Sequence, residues 1–296
     1  MLWILLGVVA GLVVPVQTVI NTRLRESTGT PFSSSMISFA VGTATLFAAV
    51  LVLQRGHFGL SAAWGAPPWI WAGGFLGVVF LTGNILLFPR LGAVQTVVLP
   101  IAGQILMGLV IDHCGLFSSP VARLTWVRLL GALLVLAGVM LTVGRPRAQE
   151  VGWGLLPWQI AGFVFGCLNS SQSAINGHLG QLAGSALSAA FASFAIGAAT
   201  LLFINAVLRW RPHLDRPHGE RNPWWMWLGG VLGALFVFAT ASLVPQIGTG
   251  LTVVVTLLGS MVGSVIVERA RGENVAVRQC VGLALVLAGV VLIRLV

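Results

Sequence analysis

The sequence predicts an all-α integral membrane protein: ten transmembrane helices, arranged as two inverted five-helix repeats. Three observations carry this. Hydrophobic residues make up 57% of the 296 positions and charged residues only 8%, where a soluble chain carries about 25% charged residues. Ten apolar runs of spanning length follow one another with short connections. The second half repeats the first at a nearly constant offset. So much apolar surface has no place inside a soluble fold of this size. A soluble enzyme, a disordered chain and a nucleic-acid binder are excluded.

A spanning helix needs about 20 mainly apolar residues. The first half offers 2–21, 34–53, 69–88, 93–111 and 126–143. The second offers 158–176, 186–208, 224–243, 249–267 and 276–293. The first run has no basic segment before Trp3 and no small-x-small cleavage site after Ile20, so it reads as a span and not as a signal peptide. The 11 Trp lie at or near segment ends, where amphipathic rings meet the headgroups. None falls mid-span, so Trp supplies no central aromatic cage.

The repeat is explicit. Gln17-Thr-Val-Ile-Asn21-Thr-Arg-Leu24 matches Gln172-Ser-Ala-Ile-Asn176-Gly-His-Leu179. Ser38-Phe-Ala-Val-Gly42-Thr-Ala-Thr45 matches Ser193-Phe-Ala-Ile-Gly197-Ala-Ala-Thr200. Gly73-Gly-Phe-Leu-Gly77 matches Gly229-Gly-Val-Leu-Gly233, and Asp112 falls on Glu268. The units are 1–148 and 149–296. Five spans is an odd number, so the second unit enters the membrane from the opposite face. That is a transporter architecture, with its site at the midplane.

The net charge is +9, and every basic residue is Arg. A nucleic-acid reader clusters such charge on a polar surface; here it sits in the connections. Arg55, Arg123, Arg128 and Arg294 fall on one face of the ten-span layout, and the other twelve Arg fall on the opposite face. The richer face is expected in the cytoplasm, with both termini outside. Cys114, Cys167 and Cys280 have no metal or disulfide spacing, and no pair of His shares a helical face with a carboxylate. No metal and no cofactor are expected.

Polar side chains inside spans need a partner or water. Asn169, Gln172, Ser173 and Asn176 share one helix face. The matching face of span one holds Gln17 and Asn21, with Pro15 freeing a carbonyl one turn earlier. Asn84 and Gln104 are long amides in the third and fourth spans. The candidate substrate-binding residues are therefore Gln17, Asn21, Asn84, Gln104, Asn169, Gln172 and Asn176. The competing reading is hydrogen-bond glue between helices. Asp112 and Glu268, at matched span ends, are candidate gate charges with Arg123 and Arg269 nearby; the alternative is a pair of solvated interfacial carboxylates. The repeated glycines Gly131, Gly138, Gly282 and Gly289 mark tight helix faces.

Five-plus-five inverted helices closing on Gly282-Leu-Ala-Leu-Val-Leu-Ala-Gly289-Val-Val resemble the drug/metabolite transporter superfamily and its EamA-like fold. The motifs Gln-x-x-Ile-Asn-x-x-Leu and Ser-Phe-Ala-x-Gly-x-x-Thr resemble its YdcZ-type family in the fused, two-repeat form. The resemblance covers the whole chain and implies a bacterial inner-membrane transporter of a small molecule. Small multidrug exporters of the superfamily carry a glutamate in the first span; here spans one to three hold no Asp or Glu. The expected function is a secondary carrier of a small polar or amphipathic molecule, working by alternating access. The alternative is a passive channel or structural membrane subunit, and a membrane-embedded enzyme is the least supported. Expected partners are the substrate, the bilayer and at most a second copy of the chain, as a monomer or homodimer, with no nucleic acid.

Overall fold

A computed structural model describes residues 2–143, 155–210, 213–215, 221–270 and 277–295. The side chains of Asn84 and Glu268 lie outside the described part. The described residues form α1 (Leu2–Thr28), α2 (Pro31–Leu53), α3 (Gly73–Cys114), α4 (Trp126–Val143), α5 (Leu156–Leu182), α6 (Ala186–Val207), α7 (Gly229–Ile247), α8 (Thr249–Ala270) and α9 (Val277–Leu295). Among them, seven helices are long and apolar enough to cross a membrane. α5 is not one of the seven, because its stripe of amides and hydroxyls lowers its hydropathy.

The helix boundaries follow local chemistry. Gly29 takes φ 74 and Gly184 φ 66, both at the close of a helix. Thr30 then caps α2 by accepting from the Ser33 N–H, and Ser185 caps α6 by accepting from the Ser188 N–H. The two turns are the same device at the sequence offset of the repeat.

Spans three and four, expected as separate helices, fall within one element of 42 residues. A straight helix of that length would run about 63 Å, twice the thickness of the hydrocarbon layer. It does not run straight. Gly73, Gly77 and Gly83 face Asn176, Gln172 and Phe165 of α5 in turn, so this limb passes α5 antiparallel. Gln95 then meets Gln159, and Gln104 meets Asn169 and Ser170, so the second limb passes it parallel. Leu87 and Leu99 both face Gly162. The chain therefore reverses between Leu87 and Gln95. In the second half the corresponding reversal has a visible break: Gly248, at φ 80, separates α7 from α8.

α7 and α8 pass α1 as the limbs of α3 pass α5. Gly233 faces Gln17, and Gly7 faces both Leu243 and Val255. Gly11 and Gly166 are needed at the crossings: a Cβ on Gly11 would collide with the Thr256 carbonyl oxygen, and one on Gly166 with that of Pro100. α4 and α9 close on each other through Gly131, Gly138, Gly282 and Gly289, so these glycines pack helices as expected. The largest apolar cluster joins α3, α4, α8 and α9 around Ile105, Val135, Val255 and Val286.

Candidate functional site

A cavity of about 350 Å³ lies between the two halves. That size suits a small organic ligand. Of the candidate residues, Gln17, Asn21, Gln104, Asn169 and Gln172 line it together. Asn176 does not: it is 2% exposed and is outside the lining. Ser35, Ser38, Thr256 and Ser260 add hydroxyls. Among the described lining residues none carries a charge.

The amides fall into three groups by their bonding. Asn21 accepts from the Ser38 hydroxyl at 2.7 Å, and Asn176 donates to the Ser193 hydroxyl at 3.2 Å; these are bonds between neighbouring helices. Asn169 donates to the Gln104 side-chain oxygen at 3.1 Å, and so joins α5 to α3. Gln17 and Gln172 are bonded to no side chain or backbone group among the described residues, and both line the cavity. Each is held from behind by a glycine, Gly233 against Gln17 and Gly77 against Gln172. Their side-chain amides face the cavity.

Four phenylalanines complete the walls: Phe39, Phe80, Phe194 and Phe236. The rings of Phe39 and Phe194 stack with centroids 4.8 Å apart. The absence of mid-span Trp therefore does not leave the centre without aromatic groups. The signal was present, since Phe39 and Phe194 occupy one position of the repeat and Phe80 and Phe236 another.

The cavity is not symmetric. Asn21, Ser35 and Ser38 line it, which carries it toward the α1–α2 turn. Their matches Asn176, Ala190 and Ser193 are buried at 2%, 0% and 2% exposure.

At the opposite end Asp112 differs from both expectations for it. It is neither a solvated interfacial carboxylate nor a partner of Arg123. It is 0% exposed, and its oxygens accept from the backbone N–H groups of Thr249 and Gly250 at 2.7 and 2.9 Å. Ser119 donates to it at 3.3 Å, and Arg128 pairs with it at 3.3 Å. The physical reason is twofold. The first N–H groups of α8 have no partner within their own helix and attract an anion. The chain after Gly115 turns back through Phe117 and Ser118, both at positive φ, and brings Ser119 and Arg128 over the carboxylate. From sequence Arg128 lies at the start of the span 126–143 and counts only toward the charge of one face. Asp112 thus ties α3, α4 and α8 together at one end of the cavity.

Comparison with known proteins agrees with this architecture. The family model described as "Putative inner membrane exporter, YdcZ" matches residues 2–141 and 157–292. The inner membrane protein YdcZ of Escherichia coli (strain K12) is 26% identical over 140 residues, covering 47% of this chain and 92% of the relative. A solved crystal structure of a protein superposes with a TM-score of 0.72 at 18% identity, covering 99% of this chain and 96% of the other, a likeness of fold. The chain is a multi-pass inner membrane protein and belongs to the YdcZ family of the drug/metabolite transporter superfamily.

Proposed function

We propose that the chain is a secondary carrier that moves a small, uncharged or zwitterionic, partly apolar molecule through the cavity by alternating access. The single observation that carries this is the pair Gln17 and Gln172, matched by the repeat, facing one cavity and left unbonded by the described residues. Amides both donate and accept, and the phenylalanines offer apolar ring faces. A bare cation or anion would find no counter-charge among the described lining residues. Gln104 and Asn169 extend the polar wall, with Asn21 toward the open end and Asn84 in the same span region by sequence.

In this reading residues 1–148 and 149–296 are inverted five-span units. The matched contacts of α3 on α5 and of α7 with α8 on α1 support it. The Arg bias places the α1–α2 turn in the cytoplasm and both termini outside. The structure then corresponds to a state open to the cytoplasm, with Asp112 clamping the outer end. Glu268, its match, is the candidate for the same task at the inner end.

Topology is tested by fusion at the C-terminus: alkaline phosphatase is expected active and green fluorescent protein dark, and bright fluorescence would overturn the orientation. The site is tested by screening metabolites and drugs for thermal stabilisation of the purified protein, then measuring affinity of a hit for Gln17→Leu and Gln172→Leu. Each change is expected to weaken binding by about 0.5–1.5 kcal/mol, roughly 2- to 13-fold. Unchanged affinity with lowered stability would make the glutamines helix glue.

A further inference from the structure

A second cavity, of about 390 Å³, lies beside the first and is walled by the second limb of α3 together with α4, α8 and α9. The two share Leu257 and Ser260 of α8. They differ in charge. The central cavity has no charged group among its described lining residues, whereas Arg278 lines the second, with no acidic side chain among its described lining residues. Arg278 and Gln279 stand on the first turn of α9, and Thr142 on the last turn of α4. Away from them the walls are mostly apolar, with Val97, Ile101, Val139, Leu257 and Met261 beside the small hydroxyls of Ser260 and Ser264.

We infer that this cavity is a second ligand site, for a single-chain amphiphile with an anionic head. The head pairs with the Arg278 guanidinium and the chain lies along Ile101, Val139, Leu257 and Met261. Of the three lining hydroxyls, two do not compete for the role of donor, and neither Ser260 nor Gln279 carries a charge. Thr142 already donates to the Gly138 carbonyl at 2.9 Å, and Ser264 to the Ser260 carbonyl at 3.0 Å. Their protons are spent on their own helices, so the guanidinium is the group that selects an anion. Four helices enclose the space, which gives it room for one short chain and not for the paired tails of a membrane lipid. Because Leu257 and Ser260 form a wall of both cavities, an occupant here bears on the same face of α8 that the central cavity uses.

The test is photo-crosslinking of purified full-length protein with a diazirine derivative of dodecanoate, followed by peptide mapping. Label is expected on residues 97–101, 139–142 and 257–265, displaced by unlabelled dodecanoate and much less by dodecanol. Arg278→Gln is expected to lower this labelling about tenfold or more, since a charge-assisted bond is lost, and Arg278→Lys to retain most of it. Arg278 is exposed, so neither change should affect folding, which a melting curve checks. Val97→Trp, at the 42% exposed rim, fills the cavity and is expected to block labelling. Gln17→Leu is expected to leave it unchanged. Equal labelling of the Arg278→Gln protein, equal displacement by dodecanol, displacement by phosphatidylglycerol but not by dodecanoate, or loss of labelling in Gln17→Leu would each overturn the assignment.

Discussion

Ser35 and Ala190 stand at one position of the repeat, as do Asn21 and Asn176. Asn21 and Ser35, the latter 8% exposed, line the cavity, whereas Ala190 and Asn176, at 0% and 2% exposure, do not. Asn21 and Asn176 are identical, so residue type at that position does not decide which end lines the cavity. The halves are joined at both ends: near the α1–α2 turn Ser33 donates to Asn205, and Asn222 accepts from Arg23 and Ser27. At the sealed end Asp112 reaches from α3 in the first half to the N–H groups that open α8 in the second. Toward the α1–α2 turn the cavity is lined by Asn21, Ser35 and Ser38. Asp112 is thus a buried charged clamp between α3 and α8 at the sealed end.

The largest expected effect comes from removing that clamp. Asp112→Ala leaves Arg128, 3% exposed, as a buried charge without its carboxylate. A loss of about 3–5 kcal/mol is expected, seen as a steep drop in melting temperature in detergent. Asp112→Asn keeps the shape and part of the hydrogen bonding, and should lose less. An unchanged melting temperature for Asp112→Ala would show that the clamp does not hold the sealed end.

A smaller effect sharpens the contrast between the ends. Asn176→Ala leaves the Ser193 hydroxyl sealed without its partner, and a cost of about 1–3 kcal/mol is expected. Asn21→Ala leaves Ser38 beside a cavity that water can enter, so its cost should fall below about 1 kcal/mol. Equal costs would mean that the two ends are equally dry. Smallest of all, Gln17→Leu and Gln172→Leu should hardly change stability, because no protein bond is lost. Their effect belongs in ligand affinity.

Much of this was legible in the sequence. Seven of the ten expected spans appear among the described residues as helices long and apolar enough to cross a membrane, and these, the offset of the repeat and the paired glutamines come from apolar run length and simple alignment of the halves. The fates of the individual amides do not. Whether Asn21 bonds Ser38 or faces open space depends on a neighbouring helix, and spacing along one helix says nothing of that. The phenylalanines were passed over because an apolar residue in an apolar span has no contrast, although Phe80 and Phe236 do fall on one repeat position. Arg128 escaped for a different reason. Its pairing with Asp112 depends on the backbone turning through positive φ at Phe117 and Ser118, a conformation those residue types do not announce. The reversal within α3 was expected as a connection, but the helix assignment there continues, whereas Gly248 marks the break in the second half.

A carrier needs one end of its cavity open while the matched end is closed, with the two able to exchange. The direct test uses Ser35→Cys and Ala190→Cys, each in a chain whose Cys114, Cys167 and Cys280 are replaced by Ala. Reaction with a membrane-impermeant thiol reagent is followed from each side of oriented vesicles. Ser35→Cys is expected to react from the cytoplasmic side and Ala190→Cys to be protected. Adding Asp112→Asn is expected to raise the reactivity of Ala190→Cys from outside and lower that of Ser35→Cys. If both cysteines react together, whatever stands at position 112, the cavity is a fixed pore and the carrier account is wrong.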